Sequence, residues 1–410
     1  MPLAETRNVA HGWTRLDGVD LLRGLAIFFV LMNHVNMRLL GAKVPYTHGL
    51  PPQLVYSLVW NGQFGVQIFF AVSGFLITST TLRRWGSISG VNVRAFYRLR
   101  FARIAPLLLL LLAALSALHF ASIKGFVVSQ KTGGLGRALL AAVTFHINLL
   151  ESRRDYLPAS WDILWSLSIE EMFYLFFPLA CRLFRRGRYL LVPLFVFVIL
   201  GPFARSRAFN HNPVWREYSY LGGMDAIALG CLTALFIARR KLSRTALWTF
   251  GIVSTILLAF SLGFSIRAYL WGLGRNGLNM TILAAGTCML IAVVAQTHWQ
   301  APRILTPLLR LGQRSYEIYL THIFVVLGFF SLFVAAGKPI RYVSALFIAV
   351  ILTAGLLGEL VARGYTEPMN RWLRRQWGDG PGRLDLVTSF RHRQTGDNQS
   401  YKTQQEHING

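Results

Sequence analysis

The sequence predicts an all-α integral membrane protein: a polytopic bundle of about ten transmembrane helices with both termini in the cytoplasm. Three observations carry this reading. Of 410 residues, 54% are hydrophobic and only 14% charged. The apolar residues come in blocks of about twenty, the length that crosses a bilayer, rather than at amphipathic intervals. The Arg and Lys residues mostly occupy the short connectors between those blocks, where they set orientation. Because the net charge of +25 is distributed in this way, it argues for membrane topology and against a nucleic-acid partner.

The blocks lie near 19–40, 58–82, 102–121, 162–182, 189–204, 218–238, 245–266, 277–297, 313–336 and 341–362. The first twenty residues hold no apolar core, so no cleavable signal peptide is expected and insertion begins at the first block. A short apolar stretch, 135–150, is decided by charge. If it does not cross, the clusters Arg83, Arg84, Arg94, Arg98, Arg100, Arg103, then Arg185, Arg186, Arg188, then Arg239, Arg240, Lys241, Arg244 share one side, which is cytoplasmic by the positive-inside rule. If it did cross, every later cluster would fall outside. It is therefore read as interfacial or re-entrant. The expected organisation is a cytoplasmic N-terminal segment 1–18, a membrane domain 19–376 and a polar, aperiodic tail 377–410 of disordered composition. Cys181, Cys231 and Cys288 sit in or beside apolar blocks and support no disulfide framework. No Cys/His spacing suits a metal.

Ionisable groups inside the blocks are the functional suspects, since each costs roughly 2.5–3.5 kcal/mol at mid-bilayer on insertion scales. In "LLRGLAIFFVLMNHV" (21–35), Arg23 and His34 are eleven residues apart, which brings them to within roughly 20° of one helix face, about 16 Å apart along the axis. Arg23 lies near the inner face and His34 deeper, aligned along a transmembrane path. "YRLRFARIAP" (97–106) opens the third block with Arg100 and Arg103 as surface neighbours, a good cradle for phosphate or pyrophosphate. In "SWDILWSLSIEEMFYLFFP" (160–178), Glu170 shares a face with Ser166 and Tyr174, whose hydroxyls are within its reach. His322 in "SYEIYLTHIFVV" falls near mid-depth and is either a satisfied core histidine or a member of the polar centre. Asp225 and Asp20 are candidate ion-pair partners for an arginine, Asp225 also for the polar centre. The small residues of "FFAVSGFLIT" (69–78) are assigned to helix packing.

Taken together and in this order, these segments resemble the acyltransferase type 3 family of integral membrane O-acyltransferases. The matching pieces are "DLLRGLAIFFVLMNH", "GVQIFFAVSGFLI", "RLRFARIAP", "WSLSIEEMFYLFFP", "SYEIYLTHIFV" and the closing "YTEPMNR", covering roughly residues 15 to 375. The resemblance implies a bundle of about ten helices that moves an acyl group, acetyl by default, from cytoplasmic acyl-CoA to a hydroxyl of a glycan, glycolipid or glycosylated metabolite, in a bacterial inner membrane. It implies Arg23 and His34 as the core pair, Arg100 and Arg103 as donor-binding arginines and Glu170 as the motif acid. The absence of an appended hydrolase-like domain implies a single-domain member. No bound cofactor or metal is expected; acyl-CoA is a substrate. The chemistry agrees: CoA is polyanionic and suits the arginines, and an imidazole is matched to base catalysis near neutral pH. His34 is then general base or acyl carrier, and Glu170 either orients it, as in a triad, or binds the acceptor sugar. A transporter or flippase using the same buried charges is the chief rival. An acetyltransferase acting on an amino-sugar nitrogen is another.

Overall fold

The computed structural model describes residues 16–184 and 188–378. Most of the 1–18 segment and of the 377–410 tail lies outside the described residues, as do Arg185 and Arg186. Among the described residues there is no strand. Among the described residues ten helices build the bundle: α1 (Asp17–Gly41), α2 (Gly62–Trp85), α3 (Val93–Phe120), α4 (Leu164–Leu183), α5 (Leu191–Arg205), α6 (Tyr220–Arg239), α7 (Arg244–Leu258), α8 (Leu278–Thr297), α9 (Ser315–Ala335) and α10 (Val343–Val361). Asp17 and Trp377 lie at one end, called proximal below. There the Asp17 carboxylate accepts from Ala301 N at 3.0 Å and the Trp377 ring meets Phe101.

Nine of the ten, with the turns that extend them, are long and apolar enough to span a bilayer. The tenth expected span, α5, has only 15 residues, about 22 Å at 1.5 Å per residue against a hydrocarbon core of about 30 Å. It still joins the two ends. The loop after it meets the segment before α4 at the distal end, where Asn212 Nδ2 donates to Ser152 O (2.7 Å) and Asn148 Nδ2 to Tyr218 O (3.0 Å). The segment between α3 and α4 leaves and returns at that same distal end: Ser160 Oγ donates to Gly125 O (3.0 Å) and Trp161 Nε1 to Phe126 O (3.3 Å). The helix Gly134–Val143 inside it therefore does not cross, as the charge argument expects.

The largest boundary difference lies in the third block. The third block reads as starting at 102, but α3 begins at Val93, where the Asn92 side chain accepts from Ala95 N at 3.0 Å. Arginine is a good helix former, so the basic run continues the helix. This places Arg100 and Arg103 within α3 rather than at its opening.

Packing uses glycine where backbones touch. A Cβ on Gly74 of α2 would stand 1.9 Å from Ile227 O, and one on Gly230 of α6 would stand 2.0 Å from Ala71 O. These two glycines let α2 and α6 approach to backbone contact. On the outside of α10, Ile348, Leu352, Leu356 and Leu360 form an i+4 stripe, 58–67% exposed. Four large aliphatics in a row facing outward need an apolar solvent. The chain is an integral membrane protein.

Candidate active site

At the proximal half of the bundle a cavity of about 470 Å³ opens between α2, α3, α4 and α9. Its lining includes Arg23, Arg83, Arg84, Arg100, Arg103 and Arg374 against only two carboxylates, Glu170 and Glu171. The arginines come from four places in the chain. Arg23 is the seventh residue of α1, where Asp20 pairs with it at 3.4 Å and Ser315 Oγ accepts from its Nε at 3.1 Å. Arg100 lies over the Tyr174 ring, 3.9 Å from guanidinium carbon to centroid, a contact that orients the guanidinium while leaving its edge N–H groups for an anion. Arg103 is close enough to Arg23 for the two like charges to interact. Such a cluster lowers the cost of bringing a polyanion into the bundle.

Glu170 is held by hydroxyls. Ser73 Oγ donates to its Oε1 at 2.5 Å, and the Tyr174 hydroxyl donates to the same oxygen. The shared helix face expected for Glu170 and Tyr174 is thus realised as a hydrogen bond. Ser166 faces the same cavity, but its partner is the Tyr319 hydroxyl at 2.6 Å. Ser73 and Tyr319 escape a reading of the sequence: one sits in a stretch assigned to packing, the other in an apolar run. Gly74, beside Ser73, does serve packing.

The stripe expected on α1 exists and faces α9. At its proximal end Arg23 meets Ser315, and further along the His34 ring packs against His322, centroids 4.9 Å apart and planes inclined at 57°. His322 is fully buried and its Nδ1 is 2.7 Å from Tyr319 O, while His34 is half-buried. Neither imidazole lines the cavity. Tyr319 does, and its ring centroid is 5.8 Å from that of His322, so this tyrosine stands between the arginine chamber and the histidine pair. Glu170 makes its hydrogen bonds on the chamber side, to Ser73 and Tyr174, so the triad-like partnership with His34 is not formed.

Asp225 is placed elsewhere. It is fully buried near the distal end of α6, where Arg205 binds both its oxygens (2.9 and 2.7 Å) and Thr281 Oγ1 and Gln67 Nε2 also donate to it (2.6 and 3.0 Å). It is an ion-pair partner for an arginine, as one expectation had it, and lies outside the chamber. Beyond the histidines towards the distal end, Arg38 interacts with Asp162, whose carboxylate accepts from the Tyr218 hydroxyl at 3.0 Å. Burial, with Asp162 beside it, holds the nearby Glu151 carboxyl well above the usual glutamate range. Among the described residues no cluster of His, Cys, Asp and Glu is fit to hold a metal ion.

A family model described as an acyltransferase domain matches residues 16–359, which takes in every one of these side chains except Arg374. The chain belongs to this acyltransferase family. Among its relatives, O-acetyltransferase OatA of Staphylococcus aureus (strain NCTC 8325 / PS 47) is 23% identical over 375 residues, covering 87% of this chain and 57% of the relative. Putative O-acetyltransferase SACOL0978 of Staphylococcus aureus (strain COL) is 26% identical over 398 residues, covering 89% and 60%. The chain thus spans less than two thirds of the length of these relatives. No solved structure matches.

Proposed function

We propose that this acyltransferase moves an acyl group, acetyl by default, from acyl-CoA to a hydroxyl of a glycan, glycolipid or other glycosylated acceptor, across a bacterial inner membrane. The observation that carries the reading is the convergence of six arginines on one chamber whose inner wall, Tyr319, touches the buried ring of His322, against which His34 packs. A chamber of this size with so much positive charge suits the phosphorylated donor, and Arg23, Arg100 and Arg103 are its phosphate and pyrophosphate ligands. The positive-inside rule puts this proximal end in the cytoplasm, where acyl-CoA is found. The acceptor approaches from the distal end.

In this mechanism the thioester passes Tyr319 to reach the histidines. His34, half-buried and therefore reachable, takes the proton of the acceptor hydroxyl as its oxygen attacks the thioester carbonyl. The carbon–sulfur bond breaks, the CoA thiolate takes the proton back from His34, and ester and free thiol leave. Glu170, tied to Ser73 and Tyr174, serves the chamber by fixing Tyr174 beneath Arg100.

Purified protein in liposomes, supplied with labelled acetyl-CoA and host envelope glycans, tests the proposal. Release of free CoA that depends on the acceptor, with alkali-labile ester on the glycan, is the expected result. Transport of label without CoA release would make the chain a carrier, and an amide product would replace the hydroxyl acceptor with an amine.

A further inference from the structure

We infer that His322 is the positioning residue for His34, doing for it what a carboxylate does in a serine-protease triad. This rests on the acyl-transfer reading above for its catalytic consequence, but its structural core does not. A carbonyl oxygen can only accept, so the 2.7 Å contact between His322 Nδ1 and Tyr319 O puts a proton on Nδ1. In the neutral ring that leaves the lone pair on Nε2. This nitrogen is buried and has no hydrogen-bond partner among the described residues. A bare acceptor in a dry interior is costly unless a donor reaches it. The neighbouring polar ring is that of His34, 4.9 Å away between centroids. The carboxylates of the region are engaged elsewhere: Glu170 with Ser73 and Tyr174, Asp162 with Tyr218.

A small rotation of His34 brings one of its N–H groups onto His322 Nε2. Its other nitrogen then carries the lone pair and faces the acceptor hydroxyl. When that nitrogen takes the hydroxyl proton, the imidazolium formed is stabilised by the hydrogen bond to His322; when it returns the proton to the CoA thiolate, both rings regain their starting state. His322 itself gains and loses no proton. The backbone of Tyr319 fixes its tautomer, so the residue that walls the chamber also sets the polarity of the pair behind it.

Two substitutions separate this role from simple packing. His322→Gln offers an amide oxygen near the Nε2 position, whereas His322→Leu fills similar space with no acceptor. The expected result is a fall in kcat of about 100-fold or more in His322→Leu, the scale of lost acid–base catalysis, with the KM for acetyl-CoA within about threefold of the parent. His322→Gln should recover at least tenfold of that loss. Equal kcat in the folded Leu variant and the parent, or equal losses in Leu and Gln, would overturn the assignment. Independently of turnover, ring 15N resonances of histidine-labelled protein in nanodiscs should show His322 protonated at Nδ1 only, and a His34 N–H resonance that moves in His322→Leu. A proton on His322 Nε2 would refute the pairing. If the labelled parent shows this tautomer but transfers no acyl group, the acyl-transfer reading fails while the pairing stands.

Discussion

At the scale of single residues, two of the buried carboxyl groups make opposite demands. Asp225 is completely enclosed and five donor groups converge on it, the Ala226 N–H among them, so removing it strands Arg205 in the interior. Breaking a buried pair from one side costs about 3–5 kcal/mol. Asp225→Ala is therefore expected to lower the thermal midpoint in detergent sharply, while the activity per folded molecule stays that of the parent because the site is remote. Glu151 is the reverse case. Its folded pKa lies above its ordinary value of 4.5, through burial first and Asp162 second. The native state thus holds a proton that the unfolded chain gives up, and stability falls as pH rises from about 4.5 towards that raised value. Glu151→Gln keeps an oxygen to accept from Leu157 N, as Glu151 Oε1 does at 3.0 Å, and should unfold at a higher temperature than the parent at neutral pH. The difference should shrink as pH falls below about 4, where Glu151 is protonated in the folded and the unfolded parent alike.

Helix contacts set the next scale. Where glycines let α2 and α6 touch, one methyl group has nowhere to go, and overpacking of this kind costs about 1–3 kcal/mol. Gly230→Ala should destabilise by that amount. Gly328 of α9 is the control, since nothing lies within 4 Å of a Cβ built there, and Gly328→Ala should be neutral or gain about 0.5–1 kcal/mol from helix propensity. Thermal unfolding of both variants checks the pair. The stripe of Arg23 and His34 was legible in the sequence because an eleven-residue spacing fixes the face of a helix whatever it packs against. Which helix receives that face was not legible. The contact with Ser315 and His322 joins residues nearly three hundred positions apart, and no local rule reports it. For the same reason Glu170 looked like a partner for His34: both are buried polar groups, and only the packing reveals that Ser73 and Tyr174 hold the one and His322 adjoins the other.

At the scale of the whole molecule, the number of crossings follows from block length and the orientation from charge. The weak point was α5, too short by length alone and placed by hydrogen bonds that link loops far apart in sequence. Single cysteines test it, because Cys181, Cys231 and Cys288 are buried and should not react with an impermeant maleimide. Lys131→Cys and Lys241→Cys, both at exposed positions, should label from opposite faces of oriented vesicles. Labelling from the same face would mean that α5 does not cross. With the crossings fixed, the arginine chamber opens on one side of the membrane and the histidines stand deeper in the bundle, so donor binding and acyl transfer become separable properties. Equilibrium binding of a non-hydrolysable acetyl-CoA analogue, measured alongside single-turnover transfer, reads both at once. His34→Ala should bind the analogue as the parent does yet transfer less than about 1% as fast, while the Arg100→Ala, Arg103→Ala double variant should lose about 100-fold in affinity, as expected for charge-assisted hydrogen bonds. Parental transfer by folded His34→Ala, or undiminished binding without the two arginines, would contradict the account.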